Sequence, residues 1–157
     1  MNQEEKIQFA DLRFSEGLNC AQSSFLALAE KRIDETTALR VASCFGGGMR
    51  CGEVCGAVTG SLMAIGLLRG YHSSADKDGK VRANRLALLF ENRFRDEHGS
   101  ILCKELLKYD LSKPEDLKRI QEKNLFHTVC PLMVREAVRI ADEVLCENGI
   151  DENLEGN

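Results

Sequence analysis

Apolar residues recur at helical spacing along most of this chain. Val134, Ala137, Val138, Ala141, Val144 and Leu145 fall on one stripe, and Ala83, Leu86, Ala87, Phe90 and Phe94 on another. Steps of three and four residues mark a helix that buries one face. No alternating apolar run of useful length and no Asn-Gly or Asp-Gly hairpin signal is present. The pattern predicts helices over 2–16, 19–31, 35–44, 53–69, 79–98, 101–109, 114–124 and 131–147, and so an all-α, compact multi-helix bundle.

Local signals set several of these ends. Gly17 stops the first helix, and Asn19 with Gln22 three residues later resembles a capping box for the second. Asp34 can cap the third helix and Ser100 the sixth. Pro114 and Pro131 stand where first-turn prolines are tolerated. The helix read from Glu53, EVCGAVTGSLMAIGLLR, is apolar on nearly all sides, which places it at the centre of the bundle. Its Gly56, Gly60 and Gly66 each cost roughly 1 kcal/mol relative to Ala. Gly56 and Gly60 share a face, where either another backbone or a bound group can come close. Just upstream, the Gly46-Gly47-Gly48 turn runs into a helix start, a place where backbone N–H groups can meet an anion. It lacks the Lys-Ser/Thr of a P-loop. These five glycines are the candidate cofactor contacts.

Length and charge narrow the functional classes. A chain of 157 residues suits one domain, read as 1–147 with an acidic flexible tail over 148–157. The net charge is −4, and the last eleven residues hold four acids and no base, so the body is near neutral. That excludes the basic patch on which nonspecific nucleic-acid binding depends. The longest uncharged run, Val54 to Leu68, has fifteen residues, short of the roughly 20 that a membrane helix needs. The N-terminus is polar and acidic rather than signal-like, so a cytoplasmic protein is expected.

In such a setting, seven cysteines (20, 44, 51, 55, 103, 130 and 146) read as metal ligands, redox groups or packing rather than structural disulfides. There is no CxxC pair. Cys20, Cys55, Cys103 and Cys130 all fall at the predicted start of a helix, each on a different one. Free N–H groups there favour a thiolate and should lower its pKa, and the thiolate is both nucleophile and metal ligand. Convergence of the four would build a thiolate-rich site. The alternative is that each packs as a small hydrophobe. Cys51, four residues before Cys55, is a candidate fifth participant or resolving thiol, while Cys44 and Cys146 carry less signal. Of the histidines, His72 lies in a polar loop and His98 near a helix end; His127, three residues before Cys130, is the one that could serve as ligand or base.

The residues Asn19-Cys20-Ala21-Gln22, FGGGM at 45–49, GEVCGAVTGSLMAIGL at 52–67, GSILCKELL at 99–107 and Cys130-Pro131 together resemble a family named for its cysteine pattern, C_GCAxxG_C_C, and regarded as redox-active. The resemblance spans about residues 7 to 145. The label reads GCAxxG where this chain has Cys55-Gly56-Ala57-Val58-Thr59-Gly60. The resemblance implies that Cys20, Cys55, Cys103 and Cys130 are the characteristic thiols. Some relatives look like part of a dimeric haem protein, which raises a homodimer; this chain has no CxxCH, so covalent haem is not expected.

Two chemistries then serve a redox function with a still unidentified redox partner. Either two or more of the four cysteines cycle between dithiol and disulfide with no cofactor, or the four bind an iron–sulfur cluster for electron transfer. The rivals are a structural zinc module, with the same four thiols as ligands and no turnover, and a helical partner-binding module whose cysteines merely pack.

Overall fold

A computed structural model describes residues 1–149. The part of the expected acidic tail from residue 150 onward lies outside the described residues. The architecture is all-α, as the periodicity predicts. Its helices are α1 Gln3–Ser15, α2 Cys20–Ala29, α3 Glu35–Ala42, α4 Gly56–Arg69, α5 Lys77–His98, α6 Cys103–Leu107, α7 Pro114–Glu122, α8 Leu125–Thr128 and α9 Cys130–Glu147.

The caps form as local chemistry dictates. Asn19 accepts from the Gln22 N–H while the Gln22 side chain reaches back to the Asn19 N–H, the reciprocal pair that starts α2. Asn2 and Glu5 make a second such box at α1. Asp34 accepts from Thr36 and Thr37 to start α3. Ser100 accepts from the Leu102 N–H rather than capping α6 directly, and α6 shrinks to Cys103–Leu107.

Helix α4 packs against α2, α5 and α9, and α9 also lies along α1, α2, α5 and α8. The α2–α4 contact is the most extensive in the bundle, and the sequence shows why. A Cβ on Gly60 would stand 2.3 Å from the Ala21 carbonyl oxygen, and one on Gly56 would stand 3.1 Å from the Ala21 nitrogen. Two missing side chains let two backbones meet at the point where α2 begins. Helix α2 is buried along nearly its whole length, whereas α4 leaves Gly66 and Leu67 exposed.

Apolar burial divides into two clusters. The larger is built on Phe25, Ile65, Leu86, Phe90, Phe94, Val134 and Val138 and includes Cys55. The smaller gathers Leu107, Leu111 and Ile120 with Cys103 and Cys130. Cys20, half-buried, packs against both. The four cysteines therefore lie along the seam between two packed regions.

Candidate functional site

The site is assembled from helix starts. Cys20, Cys103 and Cys130 are the first residues of α2, α6 and α9, and Cys55 is the N-cap of α4. All four line one cavity of about 770 Å³. Two of them are tied together by backbone. Val54 and Leu102 form an isolated antiparallel bridge, in which the Cys55 N–H donates to the Ile101 carbonyl at 2.8 Å and the Cys103 N–H donates to the Glu53 carbonyl at 2.7 Å. The Lys104–Glu53 ion pair at 2.9 Å flanks the bridge.

The electrostatics overturn the expectation that every helix start lowers its thiol's pKa. Burial pushes Cys55 up to about 11, with the N–H groups of Ala57 and Val58 only partly offsetting it. Burial pushes Cys103 up to about 12; the charges of Cys55, Cys130 and Asp110 add to the rise, and Arg50 opposes it. Cys20 is also raised, first by its interaction with Cys130 and then by burial. Cys130 alone is lowered, its interaction with Cys20 outweighing desolvation. At Cys55 and Cys103 burial outweighs the helix start, even where backbone N–H groups face the sulfur. The outcome is a coupled pair, with Cys130 shifted toward the anion and Cys20 toward the protonated thiol.

The sulfurs are not drawn into a closed metal site. Zinc–sulfur bonds of about 2.3 Å put tetrahedral thiolates roughly 3.8 Å apart. Among the described residues, the one group of three or more His, Cys, Asp and Glu whose ligand atoms all lie within 4.8 Å of one another is Glu97, His98 and Glu136, at the end of α5 and on α9. Among the described residues no three of the four sulfurs all lie within 4.8 Å of one another, a wider spacing than a tetrahedral ion sets.

The other candidates divide. Gly46, Gly47 and Gly56 line the cavity; Gly48 packs against the Glu53 backbone and Gly60 against Ala21, neither on the cavity wall. His127 is exposed at the cavity's edge. Cys44, Cys51 and Cys146 are exposed, and the Cys51 thiol donates to the Gly48 carbonyl at 3.3 Å.

Sequence reasoning missed one wall residue, Arg50. Residues 47 to 50 form a left-handed turn, with φ of 66° at Gly47, 59° at Gly48, 58° at Met49 and 61° at Arg50. A triple glycine running into a lone arginine was the available signal. Its meaning depends on chain that returns from residues 101–111, which sequence spacing does not reveal.

The architecture and its converging cysteines define a small helical thiol protein. The sequence model of the family described as "Putative redox-active protein (C_GCAxxG_C_C)" matches residues 18–144, and the chain belongs to that family. No curated protein and no solved structure matches the chain. Among the described residues, no helix is long and apolar enough to cross a membrane.

Proposed function

We propose that the chain carries out two-electron thiol–disulfide exchange at the Cys20–Cys130 pair. The observation that carries this reading is geometric: Cys20 and Cys130 open α2 and α9 on one cavity, and their mutual interaction raises the Cys20 thiol and lowers that of Cys130. The Cys130 thiolate attacks one sulfur of a disulfide, forming a mixed disulfide; the released thiolate takes up a proton. Cys20 then loses its proton and attacks the Cys130 sulfur, releasing the second thiolate. The substrate gains two electrons and the protein holds a Cys20–Cys130 disulfide. A partner dithiol in a reducing compartment such as the cytoplasm returns the electrons. Cys55 and Cys103, held side by side by the backbone bridge, stay protonated near neutral pH and keep the pair in a water-poor seam.

A second reading has its own support: four thiols around one cavity supply the ligand set of an iron–sulfur cluster, and cluster ligands stand farther apart than those of a single ion.

Trapping experiments separate the two. After mixing with a disulfide, Cys20→Ser should accumulate a mixed disulfide on Cys130 by mass spectrometry, while Cys130→Ser should form none at that site. Equal behaviour of the two variants would end the exchange mechanism. A visible absorption band after anaerobic reconstitution with iron and sulfide, lost in Cys55→Ser and Cys103→Ser, would favour the cluster.

A further inference from the structure

The thiol cavity is far larger than two sulfurs require. At about 770 Å³ it lies within the range of about 300–1,000 Å³ that holds small organic ligands. Phe14, Leu106, Phe126 and Met133 give it apolar walls. Its charged lining is sparse. Asp11 and Arg135 face each other at 3.0 Å and cancel. Arg50 has no carboxylate within ion-pair distance among the described residues, yet its charge is felt at Cys103 inside the site. The wall therefore carries one uncompensated fixed positive charge.

The backbone under Arg50 makes this placement costly. The left-handed conformation costs a non-glycine residue roughly 1–2 kcal/mol, and Met49 and Arg50 both adopt it. The turn is held from both sides: the Met49 N–H donates to the Phe45 carbonyl at 3.3 Å, and the Glu53 N–H donates to the Gly48 carbonyl at 3.1 Å. Gly47 leaves room for the guanidinium, since a Cβ there would stand 3.3 Å from Arg50 Nη1. A strained, braced turn that holds an unpaired arginine over a thiol cavity is better explained by a ligand than by stability.

We infer that this cavity is a binding site for a low-molecular-weight disulfide bearing a carboxylate, with Arg50 receiving the carboxylate while the disulfide lies against Cys130. The inference rests on the exchange chemistry proposed above and names its substrate class. Arginine suits the task because its planar fork meets both carboxylate oxygens. The apolar walls take the carbon chain, and bond changes are those already given: one substrate S–S bond breaks, one Cys20–Cys130 bond forms, and two thiols leave.

The test is oxidation of the fully reduced protein by three small disulfides: dithiodipropionate, which carries carboxylates, bis(2-hydroxyethyl) disulfide, which is neutral, and cystamine, which is cationic. Each rate is divided by the rate of the same disulfide with dithiothreitol, which removes intrinsic reactivity. Formation of the Cys20–Cys130 disulfide is followed by mass spectrometry. We expect a normalised preference for dithiodipropionate of roughly tenfold over the neutral compound, the size of one charge-assisted contact. Arg50→Met should collapse that ratio toward one, and Arg50→Lys should retain most of it. Circular dichroism would confirm that both variants stay helical. No preference in the native protein, or a preference that survives Arg50→Met, would overturn the assignment while leaving the exchange chemistry standing. Failure of all three disulfides to oxidise the pair would instead remove the exchange chemistry itself.

Discussion

The two ends of helix α9 handle charge in opposite ways. Along its middle and C-terminal part, charges are matched. Arg139 bonds Glu97, Glu136 and Glu143 together; Lys6 meets the buried Asp142 at 2.6 Å, and Arg93 meets Glu147. At its N-terminal end, three thiols are held above their usual pKa and one below it, next to an arginine without a carboxylate partner among the described residues and a turn in a costly conformation. The first region is built to stay as it is. The second holds groups that gain from meeting something else. Perturbed thiols and a costly turn meeting at one cavity are what a reactive site costs a fold.

The sharpest way to break this contrast is to compare thiols by reactivity. In a chain with Cys44, Cys51 and Cys146 changed to Ser, iodoacetamide near neutral pH should modify Cys130 first. A thiol at about 12 and one below 9.0 differ by at least about a thousandfold in anion fraction. Weaker nucleophilicity of the more acidic thiol offsets about thirtyfold, leaving roughly thirtyfold between Cys130 and Cys103. Peptide mapping by mass spectrometry checks the order, and Cys103 or Cys55 reacting first would erase the asymmetry.

Stability against pH tests the same sulfurs. For Cys55 and Cys103 the folded pKa lies above the unfolded value, so folding favours the protonated thiol. Their contribution is fully present below about 9 and is lost as pH rises toward 11 for Cys55 and 12 for Cys103. Urea unfolding at successive pH values should show a decline of several kcal/mol across that window. The decline should be smaller in the Cys55→Ala/Cys103→Ala chain. An identical slope in both chains would assign the alkaline loss to other groups.

Next in size is the glycine contact. Gly60→Ala should destabilise by about 1–3 kcal/mol, because the new Cβ meets the Ala21 carbonyl and nothing there can yield cheaply. Gly66→Ala, with nothing within 4 Å, should stabilise by about 0.5–1 kcal/mol. Chemical denaturation measures both. Opposite signs of that kind separate a glycine needed for close approach from one that only weakens its helix.

The smallest effect concerns the two arginines. Arg139→Met should cost about 1 kcal/mol, since it strands three carboxylates, whereas Arg50→Met should leave the unfolding midpoint unchanged or slightly raised. A larger loss at Arg50 than at Arg139 would mean that the turn serves folding rather than binding.

What could be foreseen followed the range of the forces involved. Asn19 with Gln22, Asp34, Gly17 and Pro114 act within a few residues, so the starts or stops they mark could be read from their neighbours alone. The stripe on α9 was equally plain, because a helix repeats its own burial pattern. The positions of Cys20, Cys55, Cys103 and Cys130 at helix starts followed from the same local logic. Their protonation did not, because it depends on burial and on each other, which only the assembled fold supplies. The short α8 escaped for lack of periodicity, and the left-handed turn at 47–50 because Met49 and Arg50 are residues that seldom adopt it. The Val54–Leu102 bridge joins segments far apart in the chain and leaves no local trace.

That bridge has a consequence for how the chain can vary. It clasps the chain where the α4–α5 excursion leaves and returns, so the excursion behaves as a closed loop anchored at its neck. The polar tip at 70–76 is where such a loop can lengthen at little entropic cost, each doubling costing about 0.6 kcal/mol. Residues inserted there, or a tag or a whole guest domain, would extend the far end of the arm while the neck keeps two of the sulfurs at their present separation.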